Sequence, residues 1–272
     1  MSSIELRFEV PGEPRNIVLW SGGKDSTATL ILAHLLGIKI DLVIMSLLWF
    51  DKKRGIYGEQ PEKIDWVLNH AKPMLENFGF RVELVSSDKD YMYWFYKIRE
   101  KSRNPDMVGK YYGFLIGGFC KMQGEKVMPI KKFLKEQYTQ RGVHYQEIAG
   151  ICADEKERLE RMYARGQRSL LAEQNYTQAD TIALCKEYGL LAPGYTDGVT
   201  KRDGCWYCPN QNTRALAALK INHPELWGEL QELGKVENTV ARGFKYGKPF
   251  AQVEAEVDRY IENPPPIQMS ML

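Results

Sequence analysis

The stretch Asn16-Ile17-Val18-Leu19-Trp20-Ser21-Gly22-Gly23-Lys24-Asp25-Ser26-Thr27 carries an apolar run into a Ser-Gly-Gly-Lys-Asp-Ser turn and then into helix-like sequence that continues to Leu36. Two successive glycines let the backbone turn tightly with its N–H groups pointing inward, and the first turn of the following helix adds donors with partial positive charge. The turn is therefore an expected cradle for phosphate. Lys24 strengthens the expectation, because a cation at a helix start opposes the macrodipole unless an anion lies nearby. The order of residues does not fit a Walker A loop, in which Gly-x-x-x-x-Gly-Lys precedes Ser or Thr.

Outward from this turn, residues 41–48 and 81–85 repeat the short, two-sided apolar character of residues 17–20, and a fourth strand is expected over 145–151. Amphipathic stretches separate them, at 26–36, at 61–78 with Pro61 in a first-turn position, and at 128–139. Strands alternating with helices predict βαβ units and a doubly wound, mostly parallel, Rossmann-like α/β sheet. Ligands of such sheets bind at the carboxyl ends of the strands, where Ser21 lies. After about Arg168 the pattern turns mainly helical: Thr177 is an expected N-cap, Gly189 a stop, and further helices are expected at 224–233 and 250–262. The chain is accordingly read as a nucleotide-binding domain over 1–168 and a smaller, mainly helical region over 169–272 that carries a Cys-x-x-Cys knuckle.

The 272 residues hold 37 basic and 35 acidic side chains, a formal net charge of +2, so no global field draws the protein toward nucleic acid or membrane. Residues 1–11 have no apolar leader core, and no run of about 18 apolar residues occurs, which predicts a cytoplasmic protein without a membrane partner. Tyr91, Tyr93, Trp94, Phe95 and Tyr96, followed by Lys97, Arg99, Lys101 and Arg103, have the composition of a nucleic-acid surface. Helix core with a wet basic face is the favoured reading. The four histidines share no metal spacing.

Five cysteines without a secretion signal read as reduced thiols or metal ligands. Cys205 and Cys208, flanked by Gly204 and Pro209, have knuckle spacing; Cys120 is the best third ligand, and Cys152 is an undecided fourth. Three thiolates suit a 4Fe-4S cluster better than structural zinc, which normally closes with four ligands; zinc is the alternative, and a redox pair is a weaker one. Cys185 reads as packing on a helix face with Ile182 and Leu184.

The order Gly-Gly-Lys-Asp-Ser resembles the PP-loop of the ATP pyrophosphatase superfamily, whose members cut ATP between the α and β phosphates. Residues 120–133, with Lys126 three before Pro129, resemble the Cys/Lys and Lys-x-x-Pro pattern of the phosphoadenosine phosphosulfate (PAPS) reductase-like branch. Gly150-Ile151-Cys152-Ala153-Asp154-Glu155 with Arg158 is similar to that branch's Gly-Ile-Arg-x-x-Glu-Ser-x-x-Arg segment, with Cys152 in place of the arginine. No cysteine follows Cys208, where PAPS reductases carry a catalytic one.

The resemblance implies ATP over Ser21, Gly22, Gly23, Lys24, Asp25, Ser26 and Thr27, with the adenosine near the segment 49–59 that contains Asp51. Lys24, Asp25, Lys126 and Arg158 are the expected catalytic residues, cations being needed against phosphate charge. Asp25 either holds Mg²⁺ or caps the helix. Lys131 and Lys132 are candidate contacts that read better as exposed helix charges. The expected reaction is adenylation of an unknown acceptor with release of pyrophosphate, coupled to iron–sulfur-dependent sulfur transfer. A sulfonucleotide reductase using an external thiol, and a nucleotide-binding subunit that needs a partner, are the alternatives; a homodimer is compatible with either.

Overall fold

The computed structural model describes residues 14–115, 120–196, 204–241 and 243–264. The expected leader-free start, the turn at 117–119, the basic residues 201–203 and the proline-rich tail from 265 lie outside them.

The chain forms two compact units, each assembled from three segments. Residues 1–45, 70–85 and 130–191 make the first; residues 46–69, 86–129 and 192–272 make the second. The division read near Arg168 does not coincide with these units, because the chain passes back and forth between them.

Four parallel strands form the main sheet, flanked by helices: β1 (Arg15–Leu19), β2 (Leu42–Leu47), β5 (Val82–Ser86) and β6 (Tyr145–Ile148), in the order β5-β2-β1-β6. Each expected strand is present. The register sets Ile17 against Leu42 and Val18 against Val43, and all four side chains are fully buried. Burial on successive residues means that both sheet faces are covered, which explains why these strands read as continuous apolar runs. Ile17, Leu42 and Ile44 pack with Leu134 of α5 (Met122–Gln137). Helix α1 (Lys24–Leu35) packs on β1 and on α7 (Leu170–Glu173) and α8 (Gln178–Glu187). Thr177 caps α8 through a capping box with Asp180, as the sequence predicts.

Local structure departs from expectation at three places. The helix expected over 61–78 is α2 (Pro61–Trp66), a π-helical turn (Val67–Ala71) and α3 (Lys72–Asn77). Pro73 has no N–H to donate to the preceding turn, and a widened π turn is one way a helix accommodates that loss. Helix α5 starts at Met122 rather than 128 and continues through Pro129. Segment 49–59, expected as a loop, contains an antiparallel pair of β3 (Trp49–Asp51) and β4 (Ile56–Tyr57), closed by Gly55 at φ 72° and by Trp49 stacked on Tyr57 at 4.1 Å.

The second unit has its own core, in which α4 (Tyr91–Phe95), α9 (Thr213–Asn222), α10 (Pro224–Gly234) and α11 (Phe250–Glu262) bury Tyr91, Phe95, Leu216, Trp227, Leu230, Phe250 and Val257 with Phe50 and Trp206. A short helix α6 (Lys156–Tyr163) follows β6. Among the described residues no helix is long and apolar enough to cross a membrane.

Candidate functional site

In the first unit, β1 ends at Leu19 and Trp20 turns its indole Nε1 onto Thr27 Oγ1 at 3.0 Å, tying the strand exit to α1. Gly22 has φ 70°, in the left-handed region that glycine occupies without a Cβ penalty. Gly23 is the N-cap of α1 and supplies no side-chain acceptor. The loop is instead braced by serines: Ser21 N–H donates to Ser26 Oγ at 3.1 Å, and the two hydroxyls lie 3.1 Å apart. The result is a strand-to-helix turn with an uncapped helix start, the arrangement that receives an anion.

Lys24 is buried, at 8% exposure, and its Nζ donates to Asp25 Oδ1 at 2.5 Å. The cation that the sequence reads as awaiting a ligand is thus met by its neighbour. Asp25 Oδ1 also accepts from Thr181 Oγ1 at 2.9 Å and from the Cys152 thiol at 3.3 Å. Thr181 reaches Asp25 from α8, and Cys152 from the loop after β6.

That loop lies against α1 backbone to backbone. A Cβ on Gly150 would sit 2.5 Å from Ser26 N and 2.6 Å from the Asp25 carbonyl carbon, so only glycine fits. Two residues on, Cys152 is fully buried and donates its N–H to Glu155 Oε2 at 3.2 Å. Burial, then the Asp25 charge, pushes its thiol up to about 12. Arg158 is paired with Glu155. The ligand atoms of Asp25, Cys152 and Glu155 all lie within 4.8 Å of one another. Two carboxylates there suit a hard cation such as Mg²⁺, whereas the thiol does not. Cys185 is buried behind the loop with its thiol on Lys24 O at 3.3 Å, and burial raises it to about 12. Lys131 and Lys132 are exposed.

No protein-family model matches this chain, and no curated protein matches it significantly.

The second unit holds the remaining expected site residues. Asp51 accepts from Arg54 Nε at 2.7 Å, and Arg54 in turn makes a two-pronged pair with Glu229 at 2.6 and 2.7 Å. Burial opposes ionisation of Asp51, yet the Arg54 bonds hold its carboxyl below the ordinary value. Lys126 Nζ lies 3.2 Å from Oε1 of Glu59, which is 1% exposed, while Glu59 Oε2 accepts the Leu48 N–H at 3.0 Å.

Cys205 to Cys208 form a tight turn in which Cys208 N–H donates to Cys205 O at 3.1 Å, and Cys205 bridges to Glu59 through the backbone. Trp206 inserts beside Phe50 with ring centroids 4.5 Å apart and donates Nε1 to Tyr57 O at 2.8 Å. Burial is the main cause that pushes the Cys205 thiol up to about 12, with Lys126 opposing it. Cys120 and Cys205 pack against the same aromatic core. Burial pushes the Tyr91 hydroxyl above its ordinary value. Among the described residues the sulfurs of Cys120, Cys205 and Cys208 do not all lie within 4.8 Å of one another.

The aromatic stripe at 91–96 follows the core reading in part. Tyr91 and Phe95 are buried, and Lys97 lies 4.8 Å over the half-buried Trp94. Sequence reasoning did not single out Thr181, Glu59 or Tyr207 as site residues. Thr181 shows only as a polar residue within an amphipathic helix, and Glu59 and Tyr207 follow no pattern.

Proposed function

We propose that the chain binds ATP with its phosphates over residues 21–27 and transfers the adenylyl group to an acceptor, releasing pyrophosphate. The observation that carries this reading is the backbone contact of Gly150 with the first turn of α1, which braces an uncapped helix start behind the left-handed Gly22 turn at the carboxyl end of a parallel strand. The resemblance to the PP-loop of PAPS reductase-like proteins points the same way.

In this mechanism the backbone N–H groups at the start of α1 receive the phosphates, and Lys24 shifts from Asp25 toward the incoming anion. Asp25 and Glu155, whose ligand atoms lie within 4.8 Å of each other, would be the oxygen donors for the Mg²⁺ that accompanies ATP. Arg158 stands next to Glu155 and balances charge as it accumulates on pyrophosphate. The acceptor atom bonds to the α-phosphorus as the bond to the α–β bridging oxygen breaks. Holding both reactants in line supplies much of the acceleration.

Cys205 and Cys208 share one tight turn and Cys120 packs on the same core as Cys205, so these three residues would be the ones to hold a 4Fe-4S cluster; among the described residues their sulfurs do not all lie within 4.8 Å of one another, which does not fit a zinc ion as placed. A cluster, when bound, supplies electron transfer or a Lewis-acidic iron.

Calorimetric titration with Mg·ATP and assay of pyrophosphate test the reading. Binding that Lys24→Ala weakens, with pyrophosphate formed in the presence of an acceptor, supports it. Absence of ATP binding by the wild-type chain overturns it, and binding without pyrophosphate release across an acceptor panel reduces it to a nucleotide-binding module.

A further inference from the structure

The thiol of Cys152 is the one member of the Asp25, Cys152 and Glu155 group that a Mg²⁺ ion leaves unexplained, because hard cations take oxygen ligands. Its sulfur lies 3.3 Å from Asp25 Oδ1, and the three ligand atoms stay within 4.8 Å of one another. Sulfur bonds of about 2.3 Å and oxygen bonds of about 2.0–2.2 Å set neighbouring ligands of a tetrahedral zinc ion roughly 3.5 Å apart. The spacing of Cys152 and Asp25 is already close to that edge. One sulfur and two oxygens also leave one tetrahedral position open. The loop that carries the sulfur is held by contacts of its own: Gly150 presses on the Asp25 and Ser26 backbone with no room for a Cβ, the buried Ser169 hydroxyl donates to Ile151 O, and Ala153 N–H donates to Tyr176 O at 2.8 Å. Cys152 N–H fixes Glu155 through Oε2 at 3.2 Å, and the Thr181 hydroxyl orients Asp25 at 2.9 Å. Among the described residues the Lys24, Thr181 and Cys152 donors all use Oδ1 of Asp25, which leaves Oδ2 to an incoming ion.

We propose that Asp25, Cys152 and Glu155 bind a thiophilic divalent cation of the zinc class, with one coordination position left for water or a ligand oxygen. The inference deepens the Mg²⁺ assignment made above, on which its place in ATP chemistry rests, but the binding itself needs no nucleotide. As the ion enters, the Cys152 S–H bond breaks, its proton passes to solvent, and the sulfur electron pair forms the bond to the metal. No electron is transferred. In the metal-free group Lys24 faces Asp25 and Arg158 faces Glu155, so the two carboxylates are already balanced. The thiolate adds a third negative charge, and with it a divalent ion can displace both cations from the carboxylates. Thiolate sulfur selects zinc over Mg²⁺, so the two ions compete for Asp25 and Glu155 with zinc the stronger.

The test uses the reduced, nucleotide-free full chain as wild type, Cys152→Ser, Glu155→Gln and Cys185→Ser. Each protein is titrated with Zn²⁺ against a competing chelator, and with Co²⁺, whose sulfur charge-transfer absorption reports a thiolate bond directly. Cys120, Cys205 and Cys208 also offer thiolates, so the difference between each variant and wild type is what counts. Cys152→Ser should lose one equivalent of held metal, its affinity falling by more than about 100-fold, beyond the cost of losing an outer partner, and the cobalt absorption should fall with it. Glu155→Gln should weaken the same equivalent by roughly 10-fold or more. Cys185→Ser, whose native thiol lies on Lys24 O instead, should match wild type in both readings. Wild-type metal content and cobalt absorption in Cys152→Ser overturn the inference. If that variant does not fold, Glu155→Gln decides, and wild-type affinity there overturns it. Zinc bound through Cys152 by a chain that does not bind ATP supports the inference and removes only the nucleotide reading. Mg·ATP binding without any metal that depends on Cys152 keeps the nucleotide reading and overturns the inference.

Discussion

A Cβ on Gly150 would lie 2.5 Å from the backbone nitrogen of Ser26, so the loop after β6 and the first turn of α1 meet with no room for a side chain. Gly150→Ala must push one backbone away from the other. We expect a loss of about 1–3 kcal/mol of stability, the usual cost of overpacking, and, on the proposed reading, a larger relative loss of ATP affinity because the displaced atoms are those proposed to receive the phosphates. Denaturant unfolding and calorimetry measure the two effects. An alanine variant that binds ATP like wild type would show that the contact does not shape the site.

The pair formed by Lys24 and Asp25 is the second lever. Asp25→Ala leaves Lys24 buried beside Thr181 without its counter-charge. Breaking a fully buried pair costs about 3–5 kcal/mol; since the Asp25 side chain keeps 23% of its exposure, roughly 2 kcal/mol is expected here. Asp25→Asn retains an acceptor for Thr181 and should recover part of the stability without recovering Mg²⁺-dependent ATP binding. Melting curves with and without Mg·ATP separate these outcomes. Equal ATP binding by Asp25→Asn and wild type would remove Asp25 from the metal-binding role.

The four strands of the main sheet were legible because two-sided burial leaves a continuous apolar run, and the strand-to-helix turn after β1 because glycines and polar residues interrupt that run at one strand end. Less of the site was legible where partners are distant in sequence. Thr181 meets Asp25 across 156 positions, and no local pattern announces it. A lysine at a helix start reads as a cation awaiting an anion; only the fold reveals that the adjacent carboxylate already answers it. The strand Ile56–Tyr57 is two residues long, too short for alternation to separate it from loop. The cysteine spacing signalled a turn, which the Cys208 N–H bond to Cys205 O closes, whereas the burial of Tyr91 and Tyr207 is invisible because a tyrosine in a helix and one in a tight turn carry no local sign of the core around them.

Alkaline pH should destabilise the first unit. Burial raises the Cys185 thiol to about 12 from an ordinary value of 9, so between those values the unfolded chain releases the proton that the folded one keeps. The folded state then binds more protons than the unfolded state, and stability falls as pH rises through this window, by up to about 1.4 kcal/mol per pH unit. Below pH 9 the contribution is fully present. Unfolding midpoints measured from pH 7 to 10.5 should decline more steeply for wild type than for Cys185→Ala, which lacks the titrating group. Parallel slopes would mean that other groups set the alkaline limit.

The cysteines can be sorted by their partners. Cys120 and Cys205 pack on one aromatic core and Cys208 shares a tight turn with Cys205; on the proposed cluster reading, changing any one to Ser should remove most of the iron bound after anaerobic reconstitution, since thiolate ligands act as a set. Cys185 is committed to packing against the Lys24 carbonyl, and Cys185→Ser should keep its iron while losing on the order of 1 kcal/mol of stability. Cys152, the undecided ligand at the level of sequence, donates its thiol to Asp25 and its N–H to Glu155. A serine hydroxyl can make the same bond to Asp25, so Cys152→Ser should also keep its iron, and any effect should appear in ATP binding instead. Iron analysis of the five single variants decides the assignment: loss of iron from Cys152→Ser would make that residue a ligand, and retention by Cys120→Ser would leave the Cys205–Cys208 turn to find another third partner.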